Sequence, residues 1–175
     1  KDVQALMRTA REARAPLSLV EQVHRVNEER KIAMASRIER AAGGSVRDKT
    51  VAVLGVTFKP NTDDMRESPS LVVVPMLQAR GAAVRVCDPQ GERHGAGELP
   101  GVTWCRNAIE AAKGADVVVV LTEWNEFRAI NLRALKSAMS GNVLVDLRNI
   151  YQPADAAAAG LVYHAIGRAA PSSGT

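Results

Sequence analysis

The stretch Val117-Val118-Val119-Val120-Leu121-Thr122-Glu123-Trp124 decides the fold. Four consecutive valines show no alternation of apolar and polar residues, so neither face of the segment is suited to water. Such a run encodes a strand of a parallel sheet, buried on both faces. Working outward, further β-rich runs occur at Val51-Val56, Ala83-Cys87, Val102-Trp104, Val143-Val145 and Val162-Ala165. Helical patterns fit between them at Pro69-Arg80, Asn107-Lys113, Glu126-Met139 and Pro153-Ala159. Strand and helix in regular alternation predict an α/β fold, a Rossmann-like doubly wound parallel sheet. In such sheets ligands settle beyond the carboxyl ends of the strands, where the strand order reverses, which directs attention to the residues after Val56, Cys87, Leu121 and Val145.

Composition supports one ordinary core with an appendage. The chain has 175 residues, 46% of them hydrophobic and 24% charged, with a mean hydropathy of -0.10. The apolar runs Val117-Leu121 and Leu71-Met76 fall far short of the roughly 20 residues of a membrane-spanning helix, so no membrane partner is expected. Six scattered aromatics (Phe58, Trp104, Trp124, Phe127, Tyr151, Tyr163) are too few for a platform that stacks single-stranded bases. Arg8, Arg11 and Arg14 interleave with acidic residues as a solvated helix face does, so a nucleic-acid partner is not expected either. Two cysteines in strand-like contexts, Cys87 and Cys105, fit free buried thiols in a cytoplasmic, reducing setting. His24, His94 and His164 are dispersed and predict no metal site.

The front of the chain is different in character. Residues 1–48 hold 10 basic and 7 acidic side chains, against 13 and 12 in residues 49–175. A first helix over Asp2-Arg14 ends before Pro16. A second begins at Ser18, with Glu21 completing a capping box, and runs to about Ala42, where Gly43-Gly44 stops it. At about 1.5 Å per residue it reaches about 38 Å, more than one small sheet needs. Its apolar positions fit equally a helix lying on this sheet and one that connects or dimerises. The expected organisation is a central helical and dimerisation segment at 1–48, an α/β domain at 49–168 and a tail at 169–175.

Chemistry concentrates after the first strand, in Gly55-Val56-Thr57-Phe58-Lys59-Pro60-Asn61-Thr62-Asp63-Asp64-Met65-Arg66-Glu67-Ser68-Pro69. Thr57 and Pro60 stand where the second and third glycines of a dinucleotide loop are needed, so a dinucleotide is disfavoured here. Ser68-Pro69 reads as a cap and first turn, and Lys59 at a strand end suits a phosphate. The same spacing also suits a surface network of Lys59 and Arg66 with Asp63, Asp64 or Glu67. Asp88 reads as a ribose ligand or, more simply, as the start of a turn with Pro89. Trp124 is placed to cover either a ligand or the sheet edge, and Arg148 lies at the active edge with Asp146 as a candidate partner.

In chain order these residues resemble the UDP-glucose/GDP-mannose dehydrogenase family, most closely its UDP-glucose 6-dehydrogenase branch. Lys1-Asp2-Val3 with Ala5-Leu6 looks like the end of the family's G-G-S-C-F-P-K-D segment, and Val26-Asn27 like its central-helix signature. Residues Gly55 to Pro69 resemble its substrate-domain motif, and Thr122-Glu123-Trp124 with Phe127 and Asp146-Leu147-Arg148-Asn149 are two more hallmarks. The resemblance covers nearly the whole chain.

The resemblance implies the UDP-sugar-binding half of an enzyme that oxidises UDP-glucose to UDP-glucuronate with two NAD+. The route passes through a thiohemiacetal and a thioester on a cysteine three residues ahead of Lys1, outside this chain. It further implies a missing amino-terminal NAD-binding domain as partner and a homodimer. Phe58, Lys59 and Arg148 are carried over as UDP-sugar contacts. Asp2 is carried over as the residue that activates or positions the hydrolytic water, Lys1 as a neighbour of the cofactor NAD, and Arg66 as a residue reaching the NAD site across the cleft. Cys87 and Cys105 match no catalytic position, so the chain alone is expected to be inactive. UDP-N-acetylmannosamine or GDP-mannose as substrate, or a non-catalytic nucleotide-binding module, remain the alternatives.

Overall fold

The strands Thr50–Leu54 (β1), Ala83–Cys87 (β2), Thr103–Trp104 (β3), Val117–Val120 (β4), Val143–Asp146 (β5) and Val162–Ala165 (β6) pair in the order β3-β2-β1-β4-β5-β6. Every pairing is parallel. The helices are Asp2–Glu12 (α1), Ser18–Ala41 (α2), Ser70–Ala79 (α3), Glu92–Glu98 (α4), Ala108–Ala112 (α5), Asn125–Arg128 (α6), Leu132–Ala138 (α7) and Pro153–Ala158 (α8). This computed structural model describes residues 2–15 and 17–168, without the side chains of Asp2, Gln4, Arg93 and His94. Lys1, Pro16 and the expected tail at 169–175 lie outside the described residues, as does the side chain of Asp2. The order 3-2-1-4-5-6 is that of the expected doubly wound α/β sheet, with its reversal between β1 and β4.

The valine runs are continuous because both faces of the sheet are covered. Ala52, Leu54, Val118, Val120 and Leu144 point into one cluster, which Ala111, Phe127, Leu135 and Ala156 complete from the helices of that face. Their alternates Val51, Val53, Val117, Val119 and Val145 point the other way, onto Ile38 of α2, Val73, Val74 and Leu77 of α3, and Leu99. Side chains alternate with a period of two along a strand, so apolar cover on both sides demands an apolar residue at every position.

The long helix does two things at once. Ala35 and Ile38, in its carboxyl-terminal half, are fully buried, Ile38 in the same cluster as the strand valines. Arg80, the residue that caps the carboxyl end of α3, ties that half down by donating to Glu39 at 2.9 Å and to Ser36 at 3.2 Å. Its amino-terminal half leaves Leu19, Val23 and Val26 exposed at 77%, 45% and 47%, on one face at four- and three-residue spacing. No helix among the described residues is long and apolar enough to cross a membrane.

Local corrections have local causes. Ser18 is the first residue of α2 and not its cap; Leu17 precedes it with no side-chain cap, so the expected Ser18–Glu21 box does not form. The helix expected over Glu126-Met139 is two, because Asn131 caps α7 by accepting from Arg133 N at 3.0 Å and Ala134 N at 3.1 Å. Helix α4 was not expected: Gly95 and Gly97 weaken its intrinsic propensity. Tertiary packing restores it, since Gly95 lies so close to Trp104 that a Cβ there would fall 2.7 Å from the ring.

At the mouth of β1 the backbone is set by two residues. Gly55 has φ +83°, and a Cβ there would stand 2.5 Å from Thr122 Cβ. Asp88, 8% exposed at the end of β2, gathers the surrounding loops. Its Oδ2 accepts from Val56 N at 2.7 Å, from Thr57 N and Oγ1 at 3.0 Å, and from Trp124 Nε1 at 3.2 Å. Its Oδ1 accepts from Gln90 N at 2.9 Å and Gly91 N at 2.7 Å. Gly55→Ala combines a left-handed backbone with overpacking and is expected to cost about 2–4 kcal/mol, read as a lowered urea midpoint. Asp88→Ala strips several buried donors of their acceptor and is expected to cost about 2–5 kcal/mol by the same measurement; a loss within about 0.5 kcal/mol, typical of a surface change, would show that water replaces the carboxylate.

Candidate functional site

A cleft of about 380 Å³ opens where the strand order reverses, between the carboxyl edge of the sheet and helix α2. From the sheet side Phe58, Leu121, Leu147, Arg148 and Ile166 line it; from the helix His24, Asn27, Glu28, Lys31 and Met34 do. His24, Asn27, Lys31 and Met34 recur at three- and four-residue intervals, a largely polar stripe running up one face of α2. Lys31 is held beside the cleft by Glu28 at 2.8 Å and Glu67 at 3.8 Å, with its side chain 16% exposed.

The segment after β1 reaches the cleft by a sharp, braced turn. The Val56 carbonyl accepts from Ser68 Oγ at 2.6 Å and Ser70 Oγ at 2.5 Å, and the Thr57 carbonyl accepts from Thr122 Oγ1 at 2.6 Å. With residues 56 and 57 pinned and buried, the next two turn outward: Phe58 is 49% exposed and lines the cleft, whereas Lys59 is exposed and is not among the lining residues. Phe58 N donates to the Asp64 carbonyl at 2.9 Å and closes the loop on itself. No hydrogen bond or ion pair involving the Lys59 ammonium is formed among the described residues.

Arg66, in contrast, adopts the surface network: Asp64 accepts from its Nε at 2.8 Å and its Nη2 at 2.9 Å. That carboxylate raises the pKa of the exposed guanidinium, and Arg66 does not line the cleft.

Arg148 lies at the end of β5. Its backbone N donates to Asp146 Oδ1 at 3.0 Å, but the guanidinium pairs with Glu123 and not with Asp146. Nη2 donates to Glu123 Oε1 at 2.6 Å, and Nε donates to Oε2. Burial pushes the Glu123 carboxyl upward, but the Arg148 hydrogen bond and charge outweigh it and hold its pKa below the ordinary value. Asp146 is fully buried and serves structure, accepting also from Tyr151 N at 3.1 Å and Tyr163 Oη at 2.8 Å.

Other candidates turn out to be framework. Trp124 is 4% exposed, its indole N–H shared between Thr57 Oγ1 and Asp88, so it braces the sheet edge and covers no ligand. Asp88 is the turn: both oxygens are taken by the chain's own donors. With Thr57 and Pro60 following Gly55, this mouth lacks the glycine pattern of a dinucleotide loop. Cys87 is buried, and desolvation pushes its thiol up to about 12, the opposite of an activated nucleophile. His24, Lys31 and Glu123 are not among the site residues expected from sequence. The 24–27–31–34 spacing on α2 was the available signal for the first two, and nothing local pairs Glu123 with Arg148 across 25 positions.

Comparison with known proteins matches this architecture throughout. The chain is 48% identical over 168 residues to the UDP-glucose 6-dehydrogenase of Rhizobium meliloti (strain 1021), covering 96% of this chain and 38% of that protein. Among solved structures it resembles the NDP-N-acetyl-D-galactosaminuronic acid dehydrogenase of Methanosarcina mazei Go1, with a TM-score of 0.82 and 29% identity over 96% of this chain and 37% of that one. It also resembles a UDP-glucose dehydrogenase of Pyrobaculum islandicum, with a TM-score of 0.77 and 29% identity over 93% of this chain and 35% of that one. The chain therefore spans little more than a third of the length of these relatives. Residues 52–153 match the UDP binding domain of the UDP-glucose/GDP-mannose dehydrogenase family, and this chain belongs to that family.

Proposed function

We propose that the cleft between α2 and the carboxyl edge of the sheet holds the UDP moiety of a nucleotide sugar, with Lys59 and Arg148 meeting the phosphates and Phe58 offering an apolar face. The observation that carries this reading is the convergence at one cleft of an arginine fork and an exposed aromatic, Arg148 and Phe58; Lys59 is the exposed residue next in sequence to Phe58. A guanidinium is planar and delocalised and a lysine is a compact cation, so the pair suits a diphosphate from two directions. On this reading residues 49–168 form the UDP-sugar-binding unit and residues 1–48 the segment that joins it to its partners.

In the whole protein this part serves an NAD-dependent UDP-glucose 6-dehydrogenase that converts UDP-glucose to UDP-glucuronate in the cytoplasm. The similarity to the Rhizobium meliloti enzyme supports that substrate, and the two free buried thiols support a reducing compartment. NAD+ belongs to a preceding domain, because the mouth of β1 and β2 lacks the glycine pattern of a dinucleotide loop. Lys1 and Arg66 would face NAD+ from this side, and Asp2 would act on the hydrolytic water. This chain's own work is to bind the nucleotide and orient it; without a reactive thiolate it leaves NAD+ unreduced by itself.

The exposed stripe Leu19, Val23 and Val26 supports self-association through α2. Sedimentation at tens of micromolar, an order of magnitude set by ordinary homodimer affinities, is expected to give a dimer that Val23→Glu or Val26→Glu dissociates; a wild-type monomer there removes the proposal. Calorimetric titration with UDP and GDP is expected to show preference for UDP. Lys59→Ala is expected to weaken UDP by roughly 1.5–3 kcal/mol, the range for a charge-assisted hydrogen bond. The melting temperature should hardly change, since an exposed cation contributes about 0–1 kcal/mol to folding. Equal affinities with a lowered melting temperature would reverse the assignment.

A further inference from the structure

We infer that Glu123 is a positioning residue for the cleft: it clamps the Arg148 guanidinium so that the edge left free is presented to a phosphate. The inference rests on the proposed reading of the cleft as a UDP site and deepens it.

The geometry of the pair is the first ground. Glu123 accepts from Nε and Nη2 of Arg148, one flank of the guanidinium. A guanidinium has five N–H donors in a fixed plane. Two are spent on Glu123, which leaves both N–H bonds of Nη1 and one of Nη2. A fork held along one flank has no remaining freedom to rotate about its own axis, so its free donors have a set direction. Arg148 lines the cleft, and its side chain is 39% exposed.

The second ground is that both partners stand on fixed backbone. Glu123 lies between two tethered neighbours. Thr122, 2% exposed, donates to the Thr57 carbonyl at 2.6 Å, and Trp124, 4% exposed, is held through its indole N–H at 3.2 Å. Arg148 is framed likewise. Its own N is bonded to Asp146, and Leu147 N donates to the Val120 carbonyl at 3.1 Å. Asn149 exchanges two hydrogen bonds with Ile166, at 3.1 Å and 3.2 Å. A carboxylate on a mobile loop would follow its arginine; one placed between two buried anchors directs it.

Coulomb's law makes the inference sharp, because charge and orientation predict opposite signs. If Glu123 acts through charge alone, its removal makes the cleft more positive and UDP binds more tightly. If it positions Arg148, its removal frees a long side chain that UDP must then immobilise, and UDP binds more weakly despite the extra positive charge.

The test is calorimetric titration of the 175-residue chain with UDP, using wild type, Glu123→Ala, Glu123→Gln and Arg148→Ala, together with Glu123→Ala in the Arg148→Ala background and a melting curve for each. Glu123→Ala is expected to weaken UDP by about 2- to 10-fold, the cost of ordering one rotamer-rich side chain. Glu123→Gln, which keeps one acceptor oxygen, is expected to lose less. In the Arg148→Ala background the further Glu123→Ala change is expected to leave affinity unchanged or raise it, since no fork remains to be aimed. Unchanged or tighter binding by Glu123→Ala in the wild-type background overturns the inference, and a loss in Arg148→Ala then keeps the cleft reading intact. Equal weakening in both backgrounds also overturns it, because Glu123 then acts on the fold and not through Arg148. Wild type without UDP binding, or Arg148→Ala indistinguishable from it, overturns the cleft reading and this inference together.

Discussion

Asp88 is the point from which the functional edge of this sheet hangs. One carboxylate at the end of β2 takes the backbone N–H groups of residues 56 and 57 from the β1 loop, those of residues 90 and 91 from its own loop, and the indole of Trp124 from the β4 loop. Those three loops have no secondary structure to satisfy their donors, and a buried backbone N–H without a partner costs about 1–3 kcal/mol. The carboxylate meets that need at a single place, so the loops share one origin. In dinucleotide-binding sheets an acid at this position meets a ribose; here it is turned inward, onto the chain's own donors.

The frame around Asp88 sets where the chain turns outward at the edge of the sheet. Residues 56 and 57 are pinned by serine and threonine hydroxyls, and Phe58 and Lys59 follow where the chain leaves the sheet. Glu123 lies between Thr122 and Trp124, both buried, and Arg148 follows buried Asp146 and Leu147. In each case a buried anchor is followed by a more exposed side chain, and two of these, Phe58 and Arg148, line the cleft. Rigidity comes from the framework, and the groups suited to a ligand stand one or two residues beyond it, where desolvation is partial and their charge is retained.

Helix α2 joins this platform to what lies outside it. Its second half is sheet cover, with Ile38 in the same core as the strands, and its first half exposes an apolar stripe. The polar stripe His24, Asn27, Lys31 lies between these two roles and forms the far wall of the cleft. A partner seated on the first half of α2 therefore bears directly on the position of that wall.

The sheet and most of its elements were legible in the sequence, because double burial writes itself into composition: Val117-Val118-Val119-Val120 has no other economical explanation. The loop after β1 was legible as a turn leading into a helix, but not in its detail: Pro69 and not Ser68 is the cap of α3, because the Ser68 hydroxyl is drawn to the Val56 carbonyl. Even the choice for Asp88 between ribose ligand and turn leaned the right way on Asp88-Pro89 alone. Helix α4 was not legible: two glycines argue against it, and only packing on Trp104 sustains it. Nor was the partner of Arg148, for which Asp146 stood two residues away as the near choice. Asp146 is drawn inward by Tyr151 and Tyr163, and Glu123, distant in sequence, is brought alongside because β4 and β5 are neighbours in the sheet. Sequence determines what depends on burial and on local backbone preference, since both act within a few residues. Which charge meets which is decided only by strand order, because that interaction falls off with distance in space, and the chain alone does not specify that distance.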